Sequence, residues 1–461
     1  MIGRADIVAR VGEWGLREDV VEKDYVLGWL LWGIGADPVL ADAWVFKGGT
    51  CLKKCYIETY RFSEDLDFTV MPGGPLAPED VQPALERVLA RVSEESGIDF
   101  SVRAPRLRLR PSVRTAEGRV YYRGPRNAPT AASVKLDLSG DETIVQPSVL
   151  RSISHPYPDQ LPAPGVVRCY GFEEVFAEKL RAMGERGRPR DLYDIINLFR
   201  RPELHGESKL IRGVLDQKCA AKGVPVPTLD MVLESPFRAE LESEWANMLA
   251  HQLPALPPLE QFLDELERLF DWLEQGTLPE ALAPLAIAGD EEPEWSPPPT
   301  MATWGAGIPL ETVRFAAVNR VCVELGYQDR RRLIEPYSLR RTRAGNLVLH
   351  AIRTDTREHR SYRVDRIQSV RATNIPFRPV YAIEFTPTGA LLAPQAGNTV
   401  SGTSRPRSRS RQPGIVHLIQ CASCGKTFRR RTRDTTLRPH KTPDGWNCSG
   451  RRGYLTGTEY A

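Results

Sequence analysis

The stretch VFKGGTCLKKCYIETYRFSEDLDFTV, residues 45–70, constrains the fold more than any other part of the chain. A short apolar run meets two glycines and a threonine, and then Ser63, Asp65 and Asp67 alternate with large apolar residues. Alternation of this kind predicts a strand buried on one side. Residues two apart on a strand project from one face, so Asp65 and Asp67 form a carboxylate pair. Such a pair is costly unless a cation neutralises it. Mg2+ suits the task, because it prefers oxygen ligands and takes a few carboxylates plus substrate phosphates. The later run VKLDL offers Asp137 as a third acid on a neighbouring strand, with Lys135 facing the same way. If WVFKGGT is a strand ending in a tight turn, Gly48 and Gly49 let main-chain N–H groups approach a phosphate, and Thr50 adds a hydroxyl. A lone D-x-D is often only a solvated strand face. Preceded by the glycine turn and followed by an acidic strand, it points to metal-assisted phosphate chemistry.

At 461 residues the chain exceeds one ordinary core, so several domains are expected. Two linkers divide it. AGDEEPEWSPPPTMATWGAG is acidic and then proline-rich, which predicts an extended, exposed connection; APQAGNTVSGTSRPRSRSRQPG is low in complexity and predicts disorder. Residues 1–155 mix helical and alternating patterns and read as an α/β lobe. From Phe172 the pattern turns helical (FEEVFAEKLRAMGER, RDLYDIINLFR), giving an all-helical lobe over 156–290. Residues 301–392 open with a helix and then alternate tightly, as a small curved sheet or β-barrel does. Residues 413–461 form a short last module. DVVEKDYVLGWLLWGI reads as an amphipathic helix.

Charge is divided as sharply. From Met301 onward there are 28 Lys and Arg against 11 Asp and Glu; before it there are 34 against 48. A surplus of +17 behind a deficit of −14 suggests a catalytic front half and a polyanion-binding rear half. The longest apolar stretch, YVLGWLLWGIG, is too short to span a bilayer, and MIGRADIVAR lacks the apolar core of a signal peptide, so the expected location is cytoplasmic, with no membrane partner.

Of eight cysteines, Cys51, Cys55, Cys169, Cys219 and Cys322 are scattered and read as ordinary reduced residues. Cys421 and Cys424 form a C-x-x-C knuckle with Gly425 at its turn, and His440 and Cys448 are the best remaining ligands for a structural Zn2+. About fifty residues cannot build an adequate apolar core, so a staple is expected. KTFRRRTR adds five basic residues to this knuckle and points to RNA or DNA.

KGGTCLKKCY…YRFSEDLDF, the downstream VKLDLS and AEKLRAMGERGRPRDLYDIINLF together resemble the AbiEii-type nucleotidyltransferase toxins of type IV toxin–antitoxin and abortive-infection systems. EKDYVL also resembles that family, and the likeness covers roughly residues 10–275. It implies a bilobed nucleotidyltransferase fold with an NTP in the cleft, and Mg2+-dependent transfer of a nucleotide to an acceptor, the 3′ end of tRNA in studied relatives. It implies a cognate antitoxin and a role in phage defence. Gly48, Gly49 and Thr50 match the family's glycine motif, and Ser63, Asp65 and Asp67 its S-x-D-x-D. Lys179 matches the lysine expected on triphosphate oxygens, and Asp191 or Asp194 the acid of the helical lobe. The residues themselves agree: Asp191 and Asp194 are three apart and share a helix face. Arg188 and Arg190 sit at the turn before them, where they could bind phosphate. A surface ion-pair cluster is the competing reading, and Lys53 and Lys54 read equally as solvated or substrate-facing.

IEPYSLRRTRAGNLVLHAIRTDTREHRSYRVDRIQSV followed by FRPV resembles a divergent WYL domain, with LVLHA where the naming triplet falls. His350 and Tyr362 stand among Arg353, Arg360, Arg363 and Arg366, which suggests a phosphate-facing patch. The alternative to an enzyme is a catalytically silent, nucleic-acid- or nucleotide-sensing regulator. Intact carboxylates favour the enzyme.

Overall fold

The computed structural model describes residues 2–57, 61–110, 114–201, 207–277, 280–286, 288–293, 295, 310–385, 415–421, 423–430, 435–442 and 447–460. Met1–Ala396 pack as one compact unit and Gly397–Ala461 as a second.

Helices α1 (Arg4–Trp14), α2 (Glu18–Gly35) and α3 (Leu40–Ala43) lead into β1 (Trp44–Lys47). Then come α4 (Gly48–Cys55), β2 (Asp65–Val70), α5 (Pro78–Ser96), β3 (Arg106–Leu109), β4 (Thr115–Tyr122), β5 (Ala132–Ser139), β6 (Val149–Ser152) and β7 (Val166–Cys169). The seven strands form one mixed sheet in the order β3-β4-β5-β2-β1-β7-β6. β2 lies antiparallel to β1 and parallel to β5, which puts the acidic strand at the centre. Helix α2 is not amphipathic. It packs against α1, α5 and β7, so every residue from Val20 to Ile34 except Lys23 is buried.

Among the described residues the α-helices α6 (Phe172–Arg186), α7 (Pro189–Phe199), α8 (Ser208–Lys222), α9 (Leu229–Leu233), α10 (Arg238–Leu249), α11 (Leu259–Leu263) and α12 (Leu266–Gln275) follow. Gly187, left-handed at φ 54°, ends α6, and Pro189 opens α7 in its first turn. This glycine-then-proline punctuation folds the two helices back on each other.

After α13 (Leu310–Val318), strands β8 (Val321–Tyr327), β9 (Arg330–Arg341), β10 (Leu347–Arg353), β11 (His359–Arg363) and β12 (Ile367–Pro376) make an antiparallel sheet in the order β11-β10-β9-β8-β12. This sheet is not a separate bead. One apolar cluster runs through both lobes and into it, including Trp14, Phe262, Val313, Phe315 and Leu349. Tyr193 on α7 donates to Asn319 Oδ1 at 2.6 Å, and Arg200 and Arg320 share Glu265 at 2.7 and 2.8 Å.

The acidic half of the expected linker is exposed at Ala288, Gly289, Asp290 and Pro293 but docked at Glu291 and Glu292. Glu291 is buried between Arg340, at 3.1 Å, and His350, whose Nε2 lies 2.6 Å from its carboxylate. Glu292 pairs with Arg341 at 2.5 Å. The buried Arg340 guanidinium accounts for the burial of Glu291, since a buried charge must be matched. Residues 296–309 and 386–414 lie outside the described residues.

In the second unit, β14 (Thr427–Arg430), β13 (Ile415–Cys421) and β17 (Gly453–Tyr460) form one sheet, and β15 (His440–Lys441) pairs with β16 (Asn447–Cys448). No described helix is long and apolar enough to cross a membrane.

Candidate active site

Strand register builds the site. Asp67 stands beside Asp137 across β2 and β5, and Asp65 beside Lys135. On the other flank Lys47 pairs in register with Asp67. All of these share one face, because their positions alternate with buried Leu66, Phe68, Leu136 and Leu138. Burial raises the Asp65 carboxyl, with Asp137 adding to the effect and Lys135 and Arg190 opposing it. Burial likewise pushes Asp67 up to about 6; Lys47 and Lys179 pull the other way, and Asp137 and Asp65 add their repulsion. Asp137 Oδ2 accepts from Lys135 Nζ at 2.5 Å, and its buried Oδ1 has no hydrogen-bond partner among the described residues. Three carboxylates on one strand face, two of them with raised pKa, offer the oxygen ligands a divalent cation takes, although their oxygens do not all lie within 4.8 Å of one another.

The glycine turn lies directly on this row. Gly48 opens α4 at φ 78°, and a Cβ there would meet Asp67 Oδ2 at 2.5 Å. Gly49 has Ser63 Oγ 3.3 Å from the same imagined atom. Thr50 is buried, and its hydroxyl donates to the Asp65 carbonyl at 2.5 Å. The hydroxyl therefore fixes the acidic strand to α4, leaving main-chain N–H groups as the turn's donors.

The helical lobe adds a buried ion network. Lys179 Nζ lies 2.8 Å from Asp194 and 3.3 Å from Asp191. Arg61 forks onto Asp194, and Arg186 onto Asp191 at 2.8 and 3.1 Å. Burial alone would raise Asp194, but Arg61 and Lys179 outweigh it and hold it at about 2. Burial opposes the Lys179 charge, and Asp194 and Asp191 reverse that, so its pKa is raised. Arg190 is half-buried close to Asp65, whereas Arg188 is exposed at the start of α7.

Three residues here had no role in the sequence reading. Arg61 occupies the same loop as Ser63, Lys47 ends β1, and Glu142 pairs with Lys47 from beyond β5. Lys54 is turned inward onto Asp24 at 2.7 Å, and Lys53 lies 4.3 Å over the Phe62 ring. In EKDY, Glu22 receives Arg126 N–H, Lys23 pairs with Glu64, Asp24 with Lys54, and Tyr25 donates to Asp159. That motif braces the lobe. Cys51 and Cys55 are not isolated: they meet Cys169 in the core, with the three sulfurs within 4.8 Å.

A family model described as "Nucleotidyl transferase AbiEii toxin, Type IV TA system" matches residues 29–273. The chain belongs to the AbiEii nucleotidyltransferase toxin family. It is an AbiEii-type nucleotidyltransferase, and a WYL domain model matches residues 309–372 behind it. Among solved structures, "MenT4, nucleotidyltransferase toxin Rv2826c from Mycobacterium tuberculosis H37Rv" is similar at 19% identity and a TM-score of 0.41, covering 61% of this chain and 91% of that one. No curated protein matches the AbiEii-type chain. Enzymes of this kind generally use divalent metals, and a type IV toxin implies an antitoxin partner and nucleotide or RNA substrates.

In the WYL domain three of the four arginines of the expected patch are paired locally, and Arg366 has no acidic partner among the described residues. Arg353 pairs with Asp355, Arg360 with Glu358 and Arg363 with Asp365, each two residues away. His350 and Tyr362 are buried, and His350 also contacts His359 at 2.9 Å.

In the second unit, Cys421, Cys424, His440 and Cys448 converge, with their ligand atoms within 4.8 Å of one another. Register across β15 and β16 sets His440 beside Cys448. Cys421 and Cys448 sulfurs are 3.8 Å apart, the edge of a tetrahedron with metal–sulfur bonds of about 2.3 Å. His440 Nδ1 faces the Arg438 carbonyl at 2.9 Å, which orients Nε2 toward Cys424 at 3.3 Å. This Cys3His set could hold zinc. Of the basic run, Arg431 and Arg433 lie outside the described residues.

Proposed function

We propose that the chain is a Mg2+-dependent toxin that moves a nucleotide from an NTP to an RNA acceptor, the 3′ end of tRNA, within a phage-defence or toxin–antitoxin system. The observation that carries this reading is the register of Asp67 on Asp137, with Asp65 alongside and Asp137 Oδ1 left without a partner. Asp65, Asp67 and Asp137 would hold the cation. When bound, it supplies activation of the attacking hydroxyl and charge relief for the leaving pyrophosphate.

The chain's own groups do the rest. Main-chain N–H groups at Gly48 and Gly49 cradle phosphate oxygens, as they can only where no side chain intervenes. Ser63 beside Gly49 offers a hydroxyl to the same oxygens. Lys179 carries positive charge to the triphosphate, and Asp191 and Asp194 fix its ammonium in place. Lys135 and Arg190 flank Asp65 and offset charge developing there. Thr50 keeps Asp65 at the right height by its main-chain bond. Zn2+ in the last unit is structural, and the cytoplasm is the expected compartment.

The test is to incubate the full-length protein with Mg2+, each labelled NTP and total RNA, and to sequence the labelled RNA. Label at tRNA 3′ ends supports the reading. Label on protein or on free nucleotide alone would contradict the RNA acceptor.

A further inference from the structure

The acidic front half contains a cationic row that starts at the catalytic carboxylates. Register across the sheet carries Asp65 on β2 to Lys135 on β5, Arg119 on β4 and Arg106 on β3. Register partners share a face, and strands lie about 4.8 Å apart, so the row runs about 14 Å from Asp65 to the sheet edge. Arg106 and Arg119 are exposed, and neither has a carboxylate partner among the described residues. Lys135, at the inner end of the row, is held by Asp137, and in the next row Arg108 and Arg110 are both held by Glu117. On the other side of the Arg119 row, Tyr121 on β4 is covered by the Arg103 guanidinium, 4.3 Å from its ring centre. Arg106, Arg108, Glu117, Arg119, Tyr121 and Lys135 line a groove of about 680 Å3.

Position decides what this groove takes. The glycine turn follows β1, on one side of β2, and β5, β4 and β3 extend on the other. In-line transfer needs the attacking hydroxyl opposite the leaving pyrophosphate, so an NTP held at the β1 side leaves the β5 side to the acceptor. A line of arginines beside an aromatic ring suits a single-stranded polynucleotide, whose phosphates take the cations and whose bases stack.

We propose that the row Lys135–Arg119–Arg106, with Tyr121, is the track along which the single-stranded end of the acceptor RNA runs to Asp65. This rests on the RNA-acceptor reading above. The track makes the front half an RNA-contacting surface in its own right, despite its overall negative charge.

The test uses the full-length chain and an RNA oligonucleotide with 4-thiouridine near its 3′ end. Ultraviolet crosslinks should map to the peptide containing Arg119 and Tyr121, and should fall in Arg106→Glu/Arg119→Glu. In RNA labelling, that variant should raise KM for RNA about tenfold or more at physiological salt, with NTP affinity kept. The milder Arg106→Ala/Arg119→Ala pair guards against misfolding. It should flatten the dependence of log KM on log salt by about 1.4, two contacts at about 0.7 each for single strands. Crosslinks elsewhere, or an unchanged KM while labelling persists, would overturn the track and leave the transferase reading standing. A fall in NTP affinity alone would reassign the row to the triphosphate and overturn it too. Crosslinks at Tyr121 without any RNA labelling would support the track as a binding surface and sink the acceptor reading.

Discussion

Arg61 forks onto Asp194, with Nε 2.8 Å from Oδ1 and Nη2 3.0 Å from Oδ2, and both side chains are buried. This pair ties the loop carrying Ser63 to helix α7, so the strand that bears the acids and the lobe that bears Lys179 are held by one carboxylate. Gln252 completes the junction by accepting from Arg61 at 2.9 Å.

Removing Asp194 takes the forked carboxylate from buried Arg61 and leaves Lys179 with Asp191 as its acid, so Asp194→Ala should cost about 3–5 kcal/mol of stability. Its pH dependence follows from the depressed pKa. The carboxyl titrates near 3.9 unfolded and at about 2 folded, so the contribution is full above about pH 4. It is lost as pH falls through about 2. Urea midpoints between pH 2 and 6 should show this slope in the native chain and a weaker one in the variant.

Gly48→Ala puts a methyl 2.5 Å from Asp67 Oδ2 in a left-handed backbone conformation. Strain of about 1–2 kcal/mol is expected. Displacing Asp67 should lower transfer by about a hundredfold. Thermal melting and RNA labelling check the two effects separately.

Tyr193→Phe would leave the buried Asn319 Oδ1 without its 2.6 Å donor, at a cost of about 1–3 kcal/mol. Because α13 and the WYL sheet share the core of the catalytic lobes, the first unit should still unfold in one transition. Two separate calorimetric transitions within it would show that the WYL domain is independent.

The carboxylate row was legible from sequence because strand alternation is local: D-x-D and VKLDL announce which side chains share a face. Lys179, Asp191 and Asp194 were found through family likeness, since no periodicity says that one lysine bridges two acids. Arg61, Glu142 and Asn319 escaped because their partners lie 133, 95 and 126 residues away. The burial of Glu291 within an otherwise exposed stretch was hidden for the same reason, as its buried partners Arg340 and His350 come from strands β9 and β10. The cationic row from Lys135 to Arg106 was masked by the net negative charge of the front half and emerges only once strand order is known.

Full-length protein should carry one zinc per chain, held by Cys421, Cys424, His440 and Cys448, and Cys424→Ser should lose it. Elemental analysis after removal of loosely bound metal checks this. A folded second unit that never acquires zinc would refute the site.

The central claim is that the row of Asp65, Asp67 and Asp137 performs nucleotide transfer to RNA. Asp67→Asn removes one charge from a mutually repelling cluster, so the fold should keep or gain stability while chemistry stops. The most direct measurement is incorporation of labelled nucleotide into RNA by native and Asp67→Asn protein, compared at matched folding and with Mg2+ present. Robust labelling by the native protein and none by the variant is the predicted result; equal labelling by the two would contradict it.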